Sequence, residues 1–297
     1  MFAQLLKTDD IILHPIMRLY YRHKYGAKGV VYMLHRVGRH NSSGIVSNEN
    51  LKVTPGRLEQ VIRSYRKQGF DFLSLDQLYD TLHGIRKQKN PFLVFTMDDG
   101  YIDNYTEAYP VFKKYNIPFC IYVATDFPDN KAFLWWYALE DYLKGEDNKD
   151  EKFAKLRAEI LSLPKENFIN NVQNLLFDYN LDVEKYIQKE SMTWDQIVEL
   201  SKDPLCTIGG HTVSHPAFKT LSEEDIMKEI TNGCRIIEQH IQKPVNHFSY
   251  PYGSLNEVAE REYKITEQYG FKTIVTTLQG VVTPYTNINR IPRYMLY

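Results

Sequence analysis

Short, unbroken apolar runs alternate along this chain with longer segments whose apolar residues recur every three or four positions. The runs at 29–37 (GVVYMLHRV), 91–97 (PFLVFTM) and 118–125 (PFCIYVAT) predict strands buried on both faces, as in a parallel sheet. Shorter runs at 71–75, 205–211, 246–250 and 272–276 extend the series. Helices are predicted between them. Thr54 caps one that begins on Pro55, runs to about Gln68 and stops at Gly69. Others are expected over 75–86, 105–115, 222–240 and 256–269. Ser222 caps the 222–240 helix, with Glu223, Glu224 and Asp225 at its positive end. This alternation implies a parallel α/β core.

Residues from about 130 to 200 break the rhythm. Starting at Trp135 and Trp136 they read as charge-rich helix, longer than one crossover needs. They are therefore expected to form a helical insertion on the core, or else a small independent domain. The two tryptophans suit either the floor of a sugar site or the packing of that insertion. Residues 1–28 read as a basic N-terminal segment ahead of a core spanning 29–297. Over the first 40 residues Lys7, Arg18, Arg22, Lys24, Lys28, Arg36 and Arg39 face only Asp9 and Asp10. Mixed with Leu, Ile, Met and Tyr, that pattern suits a surface helix or a peripheral membrane contact.

Composition narrows the function classes. The chain has 36 Lys and Arg against 37 Asp and Glu, a net charge of -1, which offers nothing to nucleic acid. No run approaches the ~18 apolar residues of a membrane span. Asp9 and Asp10 fall where the apolar core of a secretory leader would continue, so a cytoplasmic location is expected, with membrane association through the basic segment as an addition. Cys120, Cys206 and Cys234 are odd in number and form no C-x-x-C, and read as buried free thiols in a reducing compartment.

Two polar groups interrupt the apolar pattern where chemistry would sit. Asp98 and Asp99 directly follow the run at 91–97 and precede Gly100. The carboxyl ends of strands carry the active site in parallel α/β folds. Adjacent side chains there point in different directions, so one carboxylate can bind a cation while the other stays free as a base. Asp-Asp-Gly is also a common turn string. His211 and His215 stand four residues apart between Gly209-Gly210 and Pro216. On a helical turn their rings would share one face. One carboxylate with two imidazoles suits Zn²⁺, and equally the non-haem Fe(II) triad. The extra carboxylate argues for hydrolysis. His83, His240 and His247 have no partner at metal spacing.

These two motifs, followed by Pro251-Tyr252-Gly253, resemble in order the three motifs of the polysaccharide deacetylase family (carbohydrate esterase family 4, the NodB-homology domain). The resemblance covers roughly residues 29–295 apart from the insertion. It implies a distorted (β/α) barrel of about seven strands. It also implies metal-dependent removal of the acetyl group from an N-acetylamino sugar of a polysaccharide, glycolipid or precursor. O-acetyl ester cleavage, or carbohydrate binding with weak catalysis, are the alternatives. By position, Asp99, His211 and His215 would bind the metal, Zn²⁺ first among candidates. Asp98 would be the general base, and the Tyr252 N–H would help hold the oxyanion.

Two positions depart from the family pattern. The arginine that orients the base, two residues before the motif proline, is replaced by Ser249. The late Leu-x-x-His that supplies the general acid is missing, since no histidine follows residue 253. The strand 32–35 (YMLH) ends in His35 and is similar to a permuted arrangement in some exopolysaccharide deacetylases. It makes His35 the candidate acid, with a core imidazole as the other reading. Arg290, in the string Arg290-Ile-Pro-Arg293, is the candidate for the missing arginine, or else a surface ion pair.

Overall fold

In the computed structural model, which describes residues 29–176 and 184–297, the apolar runs become one parallel sheet. Its strands are β1 (Gly29–Leu34), β2 (Asp71–Phe72), β3 (Phe92–Met97), β4 (Phe119–Val123), β5 (Cys206–Gly210), β6 (His247–Ser249), β7 (Thr273–Val275) and β8 (Tyr294–Met295). The order is β8-β1-β3-β4-β5-β6-β7, with β2 beside the first residues of β3. The chain between β7 and β8 closes the circuit. Ile291 N–H donates to the Ile274 carbonyl (2.9 Å), Thr276 N–H to that of Ile291 (2.9 Å), and Leu296 N–H to that of Met33 (3.0 Å). Residues 291–296 thus join β7 to β1 and curl the sheet into a distorted (β/α) barrel.

The runs lack alternation because both strand faces are buried. Tyr32, Leu34, Phe95, Phe119 and Ile121 pack with the helices. Their neighbours Val31, Val94, Cys120 and Tyr122 join Val275 and Ile291 in a second core. Helices α1 (Pro55–Lys67), α2 (Leu75–Leu82), α3 (Tyr109–Tyr115), α8 (Trp194–Lys202), α9 (Glu223–Ile241) and α10 (Glu260–Glu267) cover the sheet. Thr54 Oγ1 accepts from Arg57 N–H (3.1 Å), fixing the start of α1. The run at 71–75 is strand only at Asp71–Phe72, because Ser74 caps α2 in a capping box with Gln77. The helix expected over 105–115 begins instead as a π-turn at Asn104–Ala108. Pro110, at the start of α3, has no N–H to continue an α ladder.

Helices α4 (Trp135–Tyr142), α5 (Lys149–Leu161), α6 (Phe168–Leu175) and α7 (Glu184–Glu190) lie between β4 and α8. Trp135, Leu139, Phe153, Ile160 and Val172 form a cluster of their own. Ile197 and Leu200 of α8 instead join the main core. Arg36 ties the two parts together. Its guanidinium bonds Asp103 (2.5 Å), Glu190 of α7 (2.5 Å) and the Tyr137 hydroxyl of α4, over the Tyr101 ring.

All three cysteines are free and buried, and burial pushes the Cys234 thiol up to about 12. Residues 1–28 lie outside the described residues, and with them the basic segment and its membrane contact. Among the described residues no helix is long and apolar enough to cross a membrane.

Candidate active site

The strand order brings the candidate residues to one end of the barrel. Leu34 pairs with Met97, and Asp98 N–H donates to the Leu34 carbonyl (3.0 Å), so His35 and Asp98 leave adjacent strands side by side. Asp98 is 2% exposed. Both its oxygens accept from Arg293, Oδ1 from Nη1 and Oδ2 from Nη2, each at 2.7 Å, and Ser249 Oγ adds a longer contact at 3.3 Å. Arg293 is fully buried and completes its fork on the Thr276 carbonyl (2.9 Å), Thr96 Oγ1 (3.1 Å) and Ser249 Oγ (3.0 Å). Burial alone would push the Asp98 carboxyl up. The Arg293 charge and its hydrogen bonds outweigh burial and hold the carboxyl below its ordinary value.

Arg290 does not reach Asp98. It pairs with Glu260 on the surface, Nη1 to Oε1 at 2.5 Å and Nη2 to Oε2 at 3.0 Å. The arginine beside Asp98 is Arg293, three residues on. Buried Ile291 and Arg293 alternate with half-buried Pro292 and Tyr294 as the chain enters β8. That period of two puts position 293 with the buried Ile291 and leaves 290 outside. Alternation around Ile291 was the available signal. Ser249 occupies the place of the family arginine and bonds both members of the pair.

Asp99, His211 and His215 converge. Their ligand atoms all lie within 4.8 Å of one another, with His215 Nε2 at 3.2 Å and His211 Nε2 at 3.4 Å from Asp99 Oδ1. His211 Nδ1 sits 2.7 Å from the Ser249 carbonyl, which requires the proton on Nδ1 and leaves Nε2 facing Asp99. Asp99 Oδ1 is buried and receives no hydrogen bond. Two imidazole nitrogens and an unmatched carboxylate oxygen aimed at one point fit a divalent cation. Burial opposes the Asp99 charge, but the two imidazoles keep its carboxyl well below the usual range.

The segment from His211 to His215 is not a helical turn. It is irregular, with Thr212 at φ 74° and His215 at φ 55°, yet the ring centroids are 4.8 Å apart. A buried carboxylate holds this shape. Glu229 of α9 accepts from Val213 N–H, Ser214 N–H and Ser214 Oγ, each at 2.9 Å. Thr212 Oγ1 accepts from His215 N–H (3.0 Å). Gly233 lets α9 approach: a Cβ there would lie 2.8 Å from the Thr212 backbone. Asp99 (φ 77°) and Tyr252 (φ 59°) are also left-handed, so strained non-glycine backbone gathers at this site.

On the rim the pairing is sparser. His35 Nδ1 and His215 Nδ1 are buried without hydrogen-bond partners. The His35 carbonyl accepts from Asn104 Nδ2 (2.8 Å) in the π-turn. Burial pushes the His35 imidazolium down, against the pull of Asp99 and Asp98. The Tyr252 ring packs 4.6 Å from that of His215. Its N–H forms no hydrogen bond among the described residues, and its carbonyl accepts from Thr277 Oγ1 (2.9 Å). A cleft of about 490 Å³ opens beside His215 and Tyr252, walled on the other side by Trp135, Trp136 and residues of α5 and α6. His83, His240 and His247 are elsewhere: His83 on the Tyr79 carbonyl, His240 stacked on Trp194, His247 on Thr273.

The sequence profile of the polysaccharide deacetylase family matches residues 85–274, well over half of the chain. The chain belongs to that family. His35 and Arg293 both fall outside the matched stretch. The chain is also 21% identical over 239 residues to YxkH of Bacillus subtilis (strain 168), a protein whose name assigns it provisionally to the polysaccharide deacetylases. That alignment covers 80% of this chain and 63% of YxkH, so the chain spans less than two thirds of the relative's length. Among solved structures it is similar to the Streptococcus pyogenes deacetylase PplD in complex with acetate, at 18% identity and a TM-score of 0.64, covering 91% of this chain and 92% of that one. It is also similar to IcaB from Ammonifex degensii, at 20% identity and a TM-score of 0.62, covering 92% and 93%. Likeness at that identity establishes the shared barrel and nothing finer.

Proposed function

We propose that this polysaccharide deacetylase family member is a metal-dependent hydrolase that removes the acetyl group from an N-acetylated amino sugar of a polysaccharide, glycolipid or precursor. One observation carries the reading. A three-donor cluster with an unmatched buried carboxylate oxygen lies beside a second carboxylate held separately by a buried arginine. Asp99, His211 and His215 would hold a divalent cation, Zn²⁺ by donor type, which when bound acidifies the attacking water and polarises the acetyl carbonyl.

The rest falls to side chains and backbone of this chain. Asp98, kept ionised by Arg293, takes the proton of the attacking water as general base. The free Tyr252 N–H donates to the oxyanion that develops on the acetyl carbonyl. His35 donates a proton to the departing nitrogen, because an amine leaves poorly without one. Burial lowers the proton affinity of His35, which makes its protonated form the stronger donor. Here the acid comes from the strand that opens the described barrel instead of one near its end. The adjacency of β1 and β8 supports a permuted arrangement of this kind.

The test is acetate release from N-acetylglucosamine oligomers, before chelation, after chelation and after Zn²⁺ is restored. Release that is lost on chelation and returns with the metal is the expected result. Release that persists in the chelated protein would overturn the assignment.

A further inference from the structure

The cleft beside His215 and Tyr252 is lined mainly by apolar side chains, among them Phe133, Trp135, Leu163 and Phe168. The rings of Phe133 and Phe168 meet edge to face at 6.2 Å. A second sugar ring would need donors and acceptors for its hydroxyls; most of those in the lining are committed, and the side-chain amides of Asn167 and Asn170, without hydrogen-bond partners among the described residues, sit at exposed positions of the lining. Ser214 and Lys165 both bond Glu229, Lys131 bonds Asp129, and Thr220 bonds the Ala217 carbonyl. Asp126 also lines the cleft, where burial, with the Glu229 charge adding, pushes its carboxyl up to about 6. Pockets of this volume that are apolar and open onto reacting groups take the non-reacting part of a substrate.

We propose that this cleft binds an apolar aglycone of the acetylated sugar, an alkyl or prenyl chain, so that the preferred substrate is a glycolipid and not the interior of a polymer. The inference rests on the deacetylase reading above for turnover, but not for binding. Trp135, Trp136 and Tyr252 bring the cleft up to His215, so a chain seated there leaves the sugar at the metal-donor cluster. Each methylene buried strengthens binding about fourfold.

Two measurements decide it. The first compares KM for the methyl and octyl glycosides of N-acetylglucosamine in the wild type and in Leu163→Asp, which puts a charge on the cleft wall at a half-buried position. The octyl glycoside should have a KM at least about tenfold lower, and Leu163→Asp should bring the two values together. Equal KM values in the wild type, or a gap that survives the substitution, overturn the proposal. The second uses octyl glucoside below its micelle concentration. It carries no acetyl group, so its binding is read by tryptophan fluorescence whether or not the enzyme turns anything over. Saturable binding weakened at least fivefold by Leu163→Asp supports the cleft assignment. No saturable binding, or equal affinity in the variant, overturns it. Octyl glucoside binding without turnover of either glycoside would leave the cleft in place and fault the deacetylase reading instead.

Discussion

The floor and the rim of this site are built differently. On the floor, Asp98 is held by protein: Arg293 bonds both oxygens, and Ser249 ties arginine, carboxylate and His211 together. Around the proposed cation position, His35 Nδ1, His215 Nδ1 and Asp99 Oδ1 have no hydrogen-bond partner. Buried polar groups are normally satisfied, and unmatched ones that cluster around a candidate cation site are open to a partner the protein does not itself supply. The difference separates groups whose state the fold fixes in advance from groups that wait for a cation, a substrate or a proton.

Substitutions should sort along that line. The largest effect is expected at Asp98, the floor group proposed as general base. Asp98→Asn should lower kcat by about 10²–10⁴-fold while cation binding survives, since the proposed donors are Asp99, His211 and His215. Loss of cation binding in this variant would merge floor and rim into one unit.

Arg293 comes next. Arg293→Met leaves a buried carboxylate without its countercharge and should destabilise the fold by about 3–5 kcal/mol on denaturant titration. The pH dependence follows from the lowered Asp98 value. Its contribution to stability is present above the unfolded carboxyl value, about 3.9, and is lost as pH falls through the lower folded value. The acid limb of kcat/KM in the wild type should therefore lie below the ordinary carboxylate range. Arg293→Lys, which keeps a charge but not the fork, should move that limb upward, by no more than about 1–3 units. An unmoved limb would mean that another group sets it.

His35 probes the rim. His35→Ala should reduce amide hydrolysis about 10²-fold or more and hydrolysis of a nitrophenyl acetate far less, because the phenolate leaves without a proton. Equal losses on both would remove the acid role. The smallest effect is expected at Asn104. Asn104→Ala deletes one hydrogen bond to the His35 carbonyl, worth about 1 kcal/mol, and should lower amide turnover less than tenfold while leaving ester turnover alone. A larger loss on the ester than on the amide would place Asn104 with the floor.

Much of this arrangement was legible in residue order. The alternation of apolar runs and amphipathic segments gave the parallel α/β core, because strands buried on both faces have a pattern that local chemistry cannot hide, and the family resemblance gave the barrel. Asp98, Asp99 and His211 stood out because they follow apolar runs at strand ends, and His215 because it lies four residues beyond His211. What escaped was information carried by register. Arg290 and Arg293 share one short string, and which of them turns inward depends on how residues 291–296 are stitched between β7 and β1. The His211–His215 spacing suggested a helix, yet Glu229, 14 residues beyond His215, imposes an irregular turn that spacing alone does not encode. Arg36, read only as part of a basic segment, proved to be a half-buried tie between barrel and insertion, a contact spanning 154 residues to Glu190. Long-range pairings of this kind have no local signature.

The most direct test of the central claim measures Zn²⁺ binding and acetate release on the same preparations of wild type and Asp98→Asn. The account predicts one Zn²⁺ per chain in both proteins and acetate release from an N-acetylated amino sugar in the wild type alone. Release that survives Asp98→Asn, or a wild type that releases acetate without binding metal, would contradict it.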